Sequence, residues 1–165
     1  MAIHVLSAGG KMPNWVTTVS ADYNKRVSAD YKINWIDLRL EARSKSQSIN
    51  NVRTRETRRL VEAIPASSYT IALDERGKQY DSKKFSQKLE SLMQHYKHVS
   101  FVIGGPDGLD FDLELEVSSS PHEGWANSKW SLSELTLPHP FVRVLLAEQI
   151  YRAWSLKYGH PYHRD

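Results

Sequence analysis

The chain has 165 residues, 40% of them hydrophobic and 25% charged, which suits a single domain spanning residues 1–165 with a core of its own. It has no cysteine, which excludes a disulfide scaffold, a thiolate metal site and a cysteine nucleophile. The net charge of +3 is a mild bias towards polyanionic partners; no apolar run nears the roughly 20 residues of a membrane span, no secretion signal opens the chain, and the expected compartment is the cytoplasm.

Residues 3–8 are apolar and end at Gly9-Gly10, the pattern of a buried strand running into a loop. Pro13 suits a first helical turn. After it Trp15, Val19, Tyr23 and Val27 recur every four residues, which predicts an amphipathic helix. Residues 31–40 carry Ile33, Trp35, Ile36, Leu38 and Leu40 and read as a second strand. After a polar loop at 44–47, Ile49, Val52, Leu60 and Ile64 predict a helix that Pro65 ends. A third strand is expected over 69–73, closed by Asp74-Glu75-Arg76-Gly77. Ser82 can cap a helix whose stripe is Phe85, Leu89, Leu92, Met93 and Tyr96. Residues 99–103 form a fourth strand ending at Gly104-Gly105. From 110 to 117 acidic and apolar residues alternate, the period of a half-exposed strand, and 118–124 read as a loop. Residues 141–156 predict a well-buried helix, with room for burial against another chain.

Strands alternating with helices imply an α/β fold, a mostly parallel sheet with helices on both faces. Ligands of such sheets sit beyond the carboxyl ends of the strands. Leu73, Gly104 and the loop at 132–137 follow strand-like runs, so the ligand site is expected there.

The run Gly104-Gly105-Pro106-Asp107-Gly108 is neither a phosphate-binding Walker loop nor a dinucleotide fingerprint. Its glycines admit two readings: a tight strand-to-helix turn, or a backbone approached closely by a ligand. Seven histidines form no His-Glu-x-x-His pair, and Pro161 between His160 and His163 disfavours a helical metal pair, so no metal is expected. His139, between two prolines, reads as fixing a loop. Ser131 and Ser133 lack a hydrolase elbow, Asp110 and Asp112 read as exposed alternates, and the five tryptophans read as core. Arg39, Arg43, Lys45, Arg53, Arg55, Arg58 and Arg59 cluster in sequence, either as a solvated helix face or as an RNA-facing surface.

Taken together, Lys11-Met12-Pro13-Asn14-Trp15-Val16, Ile103-Gly104-Gly105-Pro106-Asp107-Gly108-Leu109, residues 130–140, Arg143-Val144-Leu145, Tyr151-Arg152-Ala153-Trp154 and residues 160–164 resemble the ribosomal RNA large subunit methyltransferase H family of the SPOUT superfamily. The resemblance covers nearly the whole chain and is most specific from Ile103 onward. It implies a SPOUT-type fold with a C-terminal trefoil knot, a homodimer, and S-adenosylmethionine as cofactor. It implies methylation of N3 of pseudouridine 1915 in 23S ribosomal RNA, on the assembled ribosome. By the same resemblance Leu73, Gly104, Gly105, Leu132, Ser133, Glu134, Leu135, Thr136 and Leu137 bind the cofactor, largely through backbone groups. Arg152, Tyr162 and His163 are the expected catalytic residues: a cation for the nucleophile or a phosphate, a partner for the uracil ring, and a base or base-orienting group. Arg53, Arg55, Arg58 and Arg59 are candidates for phosphate contacts. Residues 109–130 depart from the family pattern, as a segment that reshapes the pocket mouth or a surface excursion facing away from the ribosome. A SPOUT enzyme acting on transfer RNA, or a non-catalytic ribosome-binding module of the same fold, are the alternative functions.

Overall fold

The computed structural model describes residues 1–44, 46–114 and 124–162. Five strands form one parallel sheet: β1 (Ala2–Ala8), β2 (Ile33–Leu38), β3 (Ser68–Gln79), β4 (His98–Ile103) and β5 (Ser128–Ser131). Their spatial order is β2-β1-β4-β3-β5. Four helices connect or follow them: α1 (Asn14–Arg26), α2 (Ile49–Glu62), α3 (Ser82–His95) and α4 (His139–Lys157).

The alternation along each strand divides the core in two. Ile3, Val5, Ile71, Val99 and Phe101 point to the side where Phe85, Leu89, Leu146 and Ile150 supply the helical surface of α3 and α4. Leu6, Ala8, Ala72 and Val102 point to the opposite side, where they meet Leu60 of α2 together with Leu109, Leu113 and Trp125. Both sheet faces are therefore covered, which is why the strands read as nearly continuous apolar runs. Among the described residues no helix is long and apolar enough to cross a membrane.

Several elements differ from the sequence reading. Of the stripe expected for α1, Tyr23 and Val27 reach the core, but towards the start of the helix the buried positions are Val16 and Ser20 rather than Trp15 and Val19. Trp15 is 45% exposed and packs its ring on exposed Phe141, with centroids 5.4 Å apart. The cap of α3 is Asp81, whose carboxylate accepts the Lys84 amide at 2.7 Å; Ser82 is already helical. The third strand does not end at Asp74. It bulges over residues 74–77 and rejoins β5, with Leu73 and Lys78 both opposite Trp130. Gly77 permits that return, since a side chain there would meet the Trp130 backbone at 2.5 Å.

No strand forms over residues 110–114. The Asp110 amide donates to Thr57 Oγ1 at 2.9 Å, and its carbonyl accepts the Trp125 indole N–H at 2.9 Å. Backbone groups that a neighbouring strand would have paired are bonded to side chains instead. Leu113 and Trp125 are buried, so both described ends of this connection belong to the core and are not a surface excursion. The Ser-Pro loop and the acidic stretch beyond Glu114 lie outside the described residues.

Candidate active site

A cleft of 850 Å³ opens at the carboxyl ends of the strands. Ala8 and Gly9 reach it from β1, Leu73 from β3, Ile103 and Gly104 from β4, and Trp130 and Ser131 from β5. The loop from Leu132 to Leu137 and the first residues of α4 close the remaining wall. This is where a parallel sheet whose chain runs both ways from β1 is expected to leave a crevice.

Each wall is shaped by local chemistry. The glycine turn is closed by the Gly108 amide donating to the Gly105 carbonyl at 2.9 Å, with Gly108 at φ 78°. A side chain on Gly104 would collide with the Gly108 backbone at 2.7 Å, so the turn can be this tight only with glycine. In the loop after β5, Ser131 Oγ donates to the Ser133 carbonyl at 2.7 Å and the Leu135 amide donates to Ser133 Oγ at 2.9 Å. Thr136 Oγ1 donates to Glu75 at 3.2 Å, joining this loop to the bulge of β3. These hydroxyls act on the chain's own backbone, which fits a wall that presents main-chain groups to a ligand.

Of the nine residues expected to bind cofactor, Leu73, Gly104, Gly105, Leu132, Ser133, Leu135, Thr136 and Leu137 line the cleft. Glu134 does not; it is exposed on the same loop. The expected catalytic residues are elsewhere. Arg152 on α4 donates to Glu148 Oε1 at 3.0 and 2.7 Å and lies 5.1 Å over the Tyr162 ring. The Tyr162 hydroxyl donates to the same oxygen at 3.2 Å. Burial first, then Tyr23 and the Glu148 charge, push the Tyr162 pKa well above the usual phenol value, so it is held as a neutral hydrogen-bond donor. Neither Arg152 nor Tyr162 lines this chain's cleft. His163 lies outside the described residues.

His139 reads in the sequence as fixing a loop, which its interaction with the Gly104 backbone fits, and it also lines the cleft. It packs 2.9 Å from where a Gly9 side chain would begin, and its Nε2 is buried with no hydrogen-bond partner. Burial, then the Arg143 cation, lower its pKa; the Gly104 backbone and Asp37 oppose this only in part. Nothing in the sequence separates a Pro-His-Pro that faces a ligand from one that props a loop. Arg143 itself is buried, bonded to Ser7 Oγ at 3.1 Å and to Asp37, and lies 4.4 Å over the Trp35 ring. It ties α4 to β1 and β2 directly behind the cleft.

The sequence profile described as predicted SPOUT methyltransferase matches residues 1–163. Relatives agree along their whole length. The chain is 42% identical over 165 residues to ribosomal RNA large subunit methyltransferase H of Hydrogenovibrio crunogenus, covering all of both chains. It is 38% identical over 165 residues to the protein of the same name in Thioalkalivibrio sulfidiphilus, again covering all of both. In Paraburkholderia phymatum the figure is 40% over 164 residues and 99% of each chain. The chain belongs to the ribosomal RNA large subunit methyltransferase H family.

As a SPOUT methyltransferase it depends on S-adenosylmethionine, and the cleft fits that molecule. Its volume is in the range of small-molecule sites. Its lining includes the main chain of Gly104 and Gly105, held in a turn that a Cβ at either position would disrupt. Leu73, Leu132 and Leu137 give apolar contact.

Part of the arginine group is paired within the fold. Arg43 bridges Glu56 and Asp107, Arg59 binds Glu41 at 2.9 Å, and Arg55 approaches Glu41 at 3.7 Å. Lys45 is outside the described residues. Among the described residues Arg39, Arg53 and Arg58 have no ion pair within 4 Å; Arg39 is exposed and Arg53 and Arg58 are half-buried.

Proposed function

We propose that this protein methylates N3 of a pseudouridine, position 1915, in 23S ribosomal RNA of the assembled ribosome, in the cytoplasm and as a homodimer. One observation carries the reading: end-to-end relationship to proteins named ribosomal RNA large subunit methyltransferase H. The glycine-lined cleft supports it from the side of the chemistry. The whole chain, residues 1–165, acts as one domain, because both cores share a single sheet.

Bound S-adenosylmethionine supplies a methyl group on a sulfonium, open to in-line displacement. The chain's own residues have two tasks. The first is to hold the donor, through the backbone of Gly104 and Gly105 and the loop from Leu132 to Leu137, with Leu73 against it. Glu134 contributes through its backbone in this reading. The second is to prepare N3, an imide nitrogen that must lose its proton to become a good nucleophile. Arg152 stabilises the anion or grips a phosphate, Tyr162 donates to the uracil ring, and His163 serves as base or base-orienting group.

Arg152 and Tyr162 are absent from their own chain's cleft walls. Delivery from a second subunit resolves this, which is the support for the dimer. Half-buried Val144 and Leu145 and exposed Phe141 on α4 are suited to such an interface. The trefoil knot is part of the same reading. Its support is the path of the chain, which crosses from β4 past β3 to reach β5 and then returns to pack α4 on α1 and α3.

The test is to supply labelled S-adenosylmethionine and the purified protein to ribosomes from cells lacking the gene, then map the label by mass spectrometry. The expected product is a methyl on N3 of the single pseudouridine. Label on transfer RNA instead, or none on ribosomes, overturns the proposal. Full turnover by His163→Ala removes that residue's assigned role.

A further inference from the structure

We infer that Glu56 and Arg43 are positioning residues for the cofactor-facing glycine turn, which they pin from behind through Gly105 and Asp107. The inference rests on the reading of the cleft as the S-adenosylmethionine site.

The turn over residues 104–108 has two sides. One lines the cleft. The other rests on α2, where a side chain on Gly105 would lie 2.5 Å from Glu56 Oε2. Glu56 is 2% exposed, on a helix face otherwise made of Val52, Thr57 and Leu60. A carboxylate buried there is costly unless its oxygens are satisfied. Both are: the Glu41 amide donates to Oε1 at 2.9 Å, Arg43 Nη1 lies 3.2 Å from the same oxygen, and Arg43 Nη2 donates to Oε2 at 3.3 Å.

The same guanidinium continues into the turn. Its Nε and Nη2 donate to Asp107 Oδ2 at 3.2 and 2.8 Å. One planar cation therefore forks between a buried carboxylate on α2 and a carboxylate in the turn itself, a geometry that lysine cannot reproduce. An apolar residue at position 56 would fill the core without this arrangement. A charged one there links the core to the turn.

Neither Arg43 nor Glu56 lines the cleft. They act through the turn, holding its main-chain groups at fixed positions before a ligand arrives. Preorganised donors do not have to be reordered on binding, and small misplacements are expensive.

The experiment compares the full-length protein with Arg43→Ala, Arg43→Lys and Glu56→Gln. Calorimetric titration with S-adenosylmethionine, thermal unfolding without ligand, and steady-state methylation of ribosomes are measured on each. Arg43→Ala is expected to lower the melting temperature, because buried Glu56 loses its cation. Measured where the variant is still fully folded, it is expected to weaken cofactor binding about tenfold or more, raising KM for the cofactor more than it lowers kcat. Arg43→Lys restores binding only in part, and Glu56→Gln follows Arg43→Ala. Should Glu56→Gln fail to fold, the partly exposed Arg43 still decides the matter. Cofactor affinity unchanged in Arg43→Ala overturns the inference and leaves the cleft assignment standing. An unaltered protein that does not bind S-adenosylmethionine overturns the cleft assignment and this inference with it.

Discussion

A methyl group on Gly104 would lie 2.7 Å from the carbonyl carbon of Gly108 and 2.8 Å from its oxygen. Both are backbone atoms within one tight turn, so neither can swing away. Gly104→Ala is therefore expected to open the turn and to weaken S-adenosylmethionine binding at least about tenfold, since main-chain donors lose their aim. Calorimetry checks this; affinity equal to that of the unaltered protein refutes it. The Arg143–Asp37 pair gives a second test at this scale. Arg143 is 4% exposed at the side chain while Asp37 is 44% exposed. Asp37→Ala strands a buried cation, and breaking such a pair costs about 3 kcal/mol. Arg143→Met leaves a carboxylate that water can reach and a side chain that still covers Trp35. The expected order in urea unfolding is Asp37→Ala less stable than Arg143→Met, and the reverse order rejects this account of the pair. The sequence leaves the glycine run open between a tight turn and a backbone approached by a ligand, and the clash a Cβ on Gly104 would make with Gly108 accounts for the tight turn. The partners of Arg143 were not legible, because Ser7, Trp35 and Asp37 are distant from it in the chain.

Strands and helices carry the pH response. His4 on β1 faces His98 on β4 at 3.1 Å, and burial, then the charge of His98, lower the His4 pKa below 6.5. His139 at the start of α4 is lowered in the same direction. A histidine depressed in the folded state stays neutral there while the unfolded chain takes up a proton near 6.5. The stability these residues contribute is complete above that pH and is lost as pH falls through their folded values. Urea midpoints are expected to drop as pH is lowered from about 7.5 to about 5.5, and His4→Gln or His139→Gln should each flatten the decline. A midpoint that stays level through this window excludes the effect. Asp74 is lowered by its bond with Arg76, and Asp81 by the Lys84 amide, so any loss from these carboxylates belongs to more acid solution, below 3.8. At this scale the sequence reading is strongest for α3, whose stripe of Phe85, Leu89 and Met93 is buried, and for β1, β4 and α4, read from their apolar runs; α2 forms, but Ile49, placed in its stripe, is 66% exposed. It fails for residues 110–114, where alternation suggested a strand. Thr57 on α2 takes the Asp110 amide, a tertiary partner that periodicity does not register. It also fails at the β3 bulge, where Gly77 looks like a stop but is a point of close backbone contact with Trp130.

For the whole molecule the cleft and the pair Arg152 and Tyr162 are separate features of one chain. If the active site is shared between subunits, two defective proteins can repair each other. Arg152→Ala keeps its cleft, and Gly104→Val keeps its Arg152. Mixed after unfolding and refolding together, they are expected to regain up to about a quarter of full ribosome methylation, because half the dimers are mixed and each has one intact site. Each variant alone should be nearly inactive. No recovery on mixing means that Arg152 serves its own chain's cleft, and the shared-site arrangement is then wrong.

By itself the sequence determined the layer architecture, the family, and most of the residues that line the cleft. Each of these rests on local pattern: apolar periodicity, glycine where a Cβ cannot be, and motifs that keep their order along the chain. Only the tertiary structure decided which charges are committed. Arg43, Arg55 and Arg59, which the sequence leaves as either a solvated face or an RNA-facing surface, pair with Glu41, Glu56 and Asp107. It likewise decided that His139 faces the cleft and that Leu113 and Trp125 join the core. Ion pairing, burial and cleft lining depend on which residues folding brings together across dozens of positions, and linear spacing does not encode those meetings.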